Sequence, residues 1–181
     1  MRISQIRVFR ADLPMREGSY SWSTQSHTAF DTSIVLIDTD EGITGVGECC
    51  PLGPTYLPAY ADGVRAGIAQ LAPSLIGHDP TQLDHINAVM DTHLKGHPYV
   101  KSALDMACWD ILGKAANLPL YILLGGKLQD RVTLYKVVTR ADPAAMAERI
   151  PEYRDQGFRQ FQVKVGESPA TDIIRIHRVA Q

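Results

Sequence analysis

At 181 residues, with 45% apolar and 21% charged side chains and a net charge of −2, the chain has the composition of an ordinary globular protein, long enough for one domain or for one small domain and part of another. It carries no Lys/Arg block of the kind that binds nucleic acid, no apolar run near the roughly 20 residues that span a bilayer, and no signal-peptide core after Met1. Three cysteines, two of them adjacent at Cys49 and Cys50, make neither a disulfide framework nor a zinc spacing, so a reduced, cytoplasmic setting is expected.

Ile3 to Phe9 alternates and predicts a strand. Arg10 to about Phe30 is a long connection of mixed small, polar and aromatic residues, a size that is usually functional or disordered. Tyr20 and Trp22 favour a loop that closes over something; the alternative is a floppy surface loop. Ser33 to Thr39 predicts a second strand, Asp40-Glu41-Gly42 a turn, and Ile43 to Glu48 the hairpin partner. Gly42-x-x-Gly45-x-Gly47 lacks the strand-then-helix context of a nucleotide loop, and its glycines are expected to let strand backbones pack closely. Two prolines and a glycine make Cys49 to Tyr56 a loop.

The chain then turns helical. Ala61 to Leu71 has helical spacing, with Pro73 ending it or bending the chain. Pro80 to about Leu94 predicts a second helix with Asp79 as its cap. His93 and His97 stand four apart, a spacing that can chelate a metal on a helix, but Gly96 and Pro98 break that helix. Val100 to Ala115 carries an apolar stripe with small residues along it. Asp105 and Asp110 on it are read as hydrogen-bonding or capping groups in preference to catalytic ones.

Beyond a stop at Asn117-Leu118-Pro119 and a turn through Gly126, the pattern becomes strand, helix, strand, helix. Asp130 to Thr139 predicts a strand, and Asp142 caps a helix that begins at Pro143 and ends near Gly157. Arg159 to Gly166 is the next strand, and Ser168-Pro169 starts the last helix. In the strand, Phe161, Val163 and Val165 fall on one face and Gln160, Gln162 and Lys164 on the other. Such alternation can mean that one face is simply wet. In a parallel barrel the polar face points inward and Lys164 stands at the carboxyl end, where barrel enzymes keep their catalytic groups. The predicted organisation is an α+β domain over residues 1–126, a three-stranded antiparallel meander followed by helices. Residues 127–181 then form the first βα units of a barrel that takes roughly 200–250 residues when complete. The chain is expected to be cut short.

Three stretches carry a family resemblance: Asp40-Glu41-Gly42-Ile43-Thr44-Gly45-Val46-Gly47-Glu48, the helix Ser102 to Lys114 around Trp109-Asp110, and Leu118-Pro119-Leu120 through Gly125-Gly126. The chain resembles the enolase superfamily in its mandelate racemase and muconate lactonizing enzyme branch. Arg16 to Ser23, Glu48 to Gly53 and Gly96 to Tyr99 look like the group of 4-hydroxyproline betaine 2-epimerases and cis-3-hydroxy-L-proline dehydratases. The resemblance implies a capping domain on a TIM-type (β/α)7β barrel whose second strand carries Lys-x-Lys, the second lysine being the base. Lys164 inherits that role by position, while Gln162 departs from the motif. It further implies a small carboxylate substrate, a homo-oligomer when full length, and Mg²⁺ bound by ligands downstream of Gln181.

Such a site must stabilise the dianion formed when a proton leaves the carbon beside a carboxylate, which calls for concentrated positive charge. A lysine base must also titrate well below its usual value of ~10.4. The family's two capping loops, here about residues 14–30 and 50–58, close over the barrel mouth. A quaternary ammonium substrate would favour the faces of Tyr20, Trp22 and Tyr56. The leading expectation is an isomerase, a racemase or epimerase of a proline betaine or hydroxyproline derivative. A dehydratase on the same scaffold is the alternative, and a catalytically incompetent fragment is the reading from a different class.

Overall fold

The computed structural model describes residues 1–23 and 25–181. Its amino-terminal strands are β1 (Ile3–Pro14), β2 (Tyr20–Trp22), β3 (Gln25–His27), β4 (Ala29–Thr39) and β5 (Thr44–Cys49). Helices α1 (Ala61–Leu75), α2 (Leu83–His93), α3 (Pro98–Ala116) and the single turn α4 (Leu120–Leu123) follow. The chain closes with β6 (Tyr135–Val138), α5 (Pro143–Asp155), β7 (Gln160–Val163) and α6 (Pro169–Ala180). Two compact units result: Met1–Leu13 with Phe30–Leu128, and Pro14–Ala29 with Gln129–Gln181. Residues 14–29, grouped by sequence with the amino-terminal domain, thus cluster with the second unit.

The first unit is a sheet of order β1-β4-β5 packed against helices. In β4 the odd positions Ser33, Val35, Ile37 and Thr39 are buried, the period of two expected of a strand with one face on a core. Val35 and Ile37 meet Ile3 and the helical residues Val64, Ile68, Leu71, Met90, Leu104 and Ile111. Helix α3 lies directly on β5. A Cβ on Gly45 would come within 2.1 Å of the Ala107 carbonyl oxygen, and one on Gly47 within 1.9 Å of that of Ala103. The glycines therefore admit a helix, not a neighbouring strand.

Two helix ends depart from expectation. α1 runs on through Pro73 because Leu71 and Leu75 are both fully buried and hold its last turn in the core. α2 begins later than expected, at Leu83. The Asp79 carboxylate accepts from the Thr81 amide (3.0 Å) and hydroxyl (2.7 Å), closing a side-chain turn ahead of the helix instead of capping it.

In the second unit β6 and β7 pair in parallel, with Val137 opposite Gln162 and Val138 opposite Val163. Val138, Met146, Ile150 and Tyr153 form its core, joined by Phe158, Phe161, Val163 and Val179. Asp142 and Ser168 cap α5 and α6 as the sequence predicts, accepting from the amides of Ala144 and Thr171. The connection expected as a loop instead folds into the β2–β3 hairpin, with Tyr20 opposite His27 and Trp22 opposite Gln25. The Ser21 and Ser26 hydroxyls lie 2.8 Å apart across it, and the Trp22 and His27 rings stack at 4.9 Å.

Candidate active site

Because Phe161 and Val163 pack against the helix side, side-chain alternation puts Gln160, Gln162 and Lys164 on the opposite face of the sheet. Lys164 lies one residue past the end of β7, and its amide still continues the ladder by donating to the Val138 carbonyl (3.0 Å). It stands at the carboxyl end of two parallel strands.

The hairpin reaches the same end. The Ser21 amide donates to the Thr139 hydroxyl (2.6 Å), which contacts the Ser21 carbonyl at 3.3 Å. The Arg140 amide also donates to that carbonyl (3.0 Å), and the Ser23 amide donates to the Val165 carbonyl (3.1 Å). Gly166 is required on two counts: its φ of +116° is left-handed, and a Cβ there would come within 2.7 Å of the Ser23 Cα. This docking brings the Tyr20 ring centroid to 5.9 Å from the Lys164 Nζ. The Trp22 ring lies 5.0 Å beyond Tyr20.

The two strand-to-helix loops are tied together by Arg175, which is only 3% exposed. Its Nε donates to the Ala141 carbonyl (2.9 Å) after β6, while its Nη atoms reach Asp172 (2.7 Å) and Glu167 after β7. Asp172 also accepts from the amides of Gly166 (2.9 Å) and Glu167 (3.2 Å). Burial pushes the Asp172 carboxyl up, but Arg175 and the two amides outweigh it and hold it below its usual range.

Of the residues singled out from sequence, Tyr20, Trp22, Gln162 and Lys164 belong to this unit, Gln162 on the same strand face two residues before Lys164. Tyr56 belongs to the other unit, 56% exposed on a turn after Gly53. Asp105 accepts from the Asn87 amide group (2.9 Å), and Asp110 accepts from the Val46 amide (2.8 Å) and Lys114 (2.6 Å), the structural roles expected of them. His93 ends α2 with its Nδ1 2.9 Å from the Val89 carbonyl, whereas His97 is the left-handed cap of α3, so the two do not share a helix face. Among the described residues no three His, Cys, Asp or Glu side chains are grouped to hold a metal.

Thr139, Arg175 and Asp172 were not anticipated. Arg175 carried one signal: a lone arginine three residues after Asp172, within the run Ile173-Ile174-Arg175-Ile176.

A strand-end lysine in a parallel βα unit, preceded by a sheet-and-helix domain, is the arrangement that the resemblance implies. Residues 5–125 match the mandelate racemase / muconate lactonizing enzyme N-terminal domain, and the chain belongs to that branch of the enolase superfamily. It is 53% identical over 178 residues to the cis-3-hydroxy-L-proline dehydratase of Roseibium aggregatum, a match covering 98% of this chain and 48% of the relative. It is 33% identical over 181 residues to the N-succinyl-L-Arg/Lys racemase of Bacillus cereus, covering 100% of this chain and 49% of the relative. A mandelate racemase/muconate lactonizing enzyme structure from Roseovarius nubinhibens ISM, complexed with magnesium, superposes with a TM-score of 0.90 at 40% identity, over 99% of this chain and 50% of that one. The chain thus spans about half the length of the relatives it matches.

Proposed function

We propose that the protein containing this chain abstracts the proton from the carbon beside a substrate carboxylate, with Lys164 as the base. The observation that carries this reading is the position of Lys164: the carboxyl end of β7, on the face turned away from the helices, under the aromatic hairpin. An amine there takes the proton on Nζ while the electron pair moves into the carboxylate. The resulting dianion needs concentrated positive charge, and we place a divalent metal on residues outside this chain.

The substrate class we assign is a proline betaine or hydroxyproline derivative, and the outcome 2-epimerisation. Tyr20 and Trp22 would offer ring faces to its ammonium group, a contact of about 0.5–2 kcal/mol. Gln162 would offer an amide on the strand face that carries Lys164. Dehydration is the second reading, in which abstraction is followed by loss of a β-hydroxyl; the 53% identity to a dehydratase of cis-3-hydroxy-L-proline supports it, as the 33% identity to an N-succinyl-L-Arg/Lys racemase supports the first. Proton NMR of the full-length protein in D2O with 4-hydroxyproline betaine and with cis-3-hydroxy-L-proline separates the two. Deuterium at the α-carbon with inversion supports epimerisation, and loss of hydroxide supports dehydration. Absence of both α-exchange and turnover with both compounds would refute the assignment.

A further inference from the structure

The hairpin has an outer attachment that the barrel-mouth contacts do not explain. Glu17 sits in the turn before β2, where the Gly18 amide donates to the Met15 carbonyl (3.2 Å). One oxygen of its carboxylate accepts from the Tyr153 hydroxyl (2.6 Å) and from Arg149 Nη1 (2.5 Å) on α5. The other lies 2.9 Å from Lys136 Nζ on β6. Its partners are themselves fixed. Tyr153 is 1% exposed in the core of this unit, and Lys136 Nζ lies 4.6 Å from the Tyr153 ring centroid and 5.8 Å from that of Phe158. Two cations and a phenol on rigid elements thus form a socket for one carboxylate from the hairpin side. Burial pushes the Glu17 carboxyl up, but Tyr153, Lys136 and Arg149 outweigh it and keep it below its usual value.

We propose that Glu17 is a positioning residue, the latch that holds the aromatic hairpin over Lys164. Ser21 and Ser23 fasten the hairpin at the inner rim; Glu17 fastens it at the outer rim, three residues before Tyr20. Without the outer attachment the hairpin pivots on its inner hydrogen bonds, and the Tyr20 ring leaves Lys164. The significance of that movement for turnover rests on the proposed role of Lys164; the latch itself does not.

The test uses the full-length protein with Trp109→Phe, which leaves Trp22 as the reporter within residues 1–181, any further tryptophan being replaced likewise. Acrylamide quenching of Trp22 reads hairpin opening without any substrate. Glu17→Gln keeps the shape and removes the charge, and is expected to shift the docked-to-open ratio by about fivefold, allowing for the partial exposure of the group. Quenching rises with it. Lys136→Met alone raises quenching too, and adds little on top of Glu17→Gln, because both remove one interaction. With cis-3-hydroxy-L-proline as substrate, the loss falls on KM more than on kcat. Quenching unchanged in Glu17→Gln, or effects of the two substitutions that simply add, would overturn the latch. A wild-type protein inactive on both cis-3-hydroxy-L-proline and 4-hydroxyproline betaine while the quenching result holds would remove the substrate assignment and leave the latch standing.

Discussion

Thr139→Val isolates the inner attachment of the hairpin. The substitution keeps the shape of the side chain and replaces a buried hydroxyl that accepts from the Ser21 amide at 2.6 Å. Ser21 is 6% exposed and Thr139 8%, so water does not readily replace the lost partner while the hairpin stays docked. Leaving a buried amide unpaired costs about 1–3 kcal/mol, which is about a 5- to 150-fold change in an equilibrium constant. The Arg140 amide still holds the Ser21 carbonyl and the Ser23 amide still holds Val165, so the hairpin loosens without detaching for good. Hydrogen–deuterium exchange of the Ser21 amide measures that opening directly, because exchange through local opening accelerates by the same factor. The neighbouring α5 amides should keep their protection. A Ser21 amide that exchanges at the wild-type rate in Thr139→Val would refute the docking hydrogen bond.

Other perturbations reach further into the molecule. Gly47→Ala forces β5 away from α3, since the new methyl would lie 1.9 Å from the Ala103 carbonyl oxygen. Backbone cannot yield as a side chain can, so a loss at or above the usual ~1–3 kcal/mol for overpacking is expected in urea unfolding; an unchanged midpoint would contradict the close packing. The pH dependence of the latch follows from the lowered Glu17 value. A depressed carboxyl contributes fully above its unfolded value of 4.5 and loses that contribution as pH falls through the lower folded value. Trp22 quenching should stay flat from neutrality down to about 4.5, rise as pH falls from there through the lower folded value and level off below it, and Glu17→Gln should remove the rise. Burial pushes the Cys108 thiol up to about 12, so iodoacetamide at neutral pH should leave Cys108 intact until the protein is unfolded, as peptide mapping would show.

Much of the architecture was legible because local signals agreed with tertiary ones. Asp142-Pro143 and Ser168-Pro169 announce their helices through capping chemistry alone. The alternation from Gln160 to Lys164 assigned Lys164 to the polar face, and the packing of Phe161 and Val163 realises it. What escaped the sequence depends on partners far along the chain. Tyr20 to His27 reads as loop because its strands are short and polar, and their pairing is fixed by Thr139 and Val165, more than a hundred residues away. Arg175 in an isoleucine-rich helix looks like a solvent-side charge until the Ala141 carbonyl and Glu167 are seen to converge on it. Pro73 failed as a stop signal because burial of Leu75 outweighs one missing backbone hydrogen bond.

The central claim is that Lys164 removes the α-proton. The most direct measurement is deuterium incorporation at the α-carbon of 4-hydroxyproline betaine or cis-3-hydroxy-L-proline in D2O, comparing the full-length protein with its Lys164→Ala variant. Removing a general base is expected to slow abstraction from that face by about 10²–10⁴-fold. The account predicts exchange in the parent and its collapse in the variant, with substrate still bound; exchange that persists at the parent rate in Lys164→Ala would contradict it.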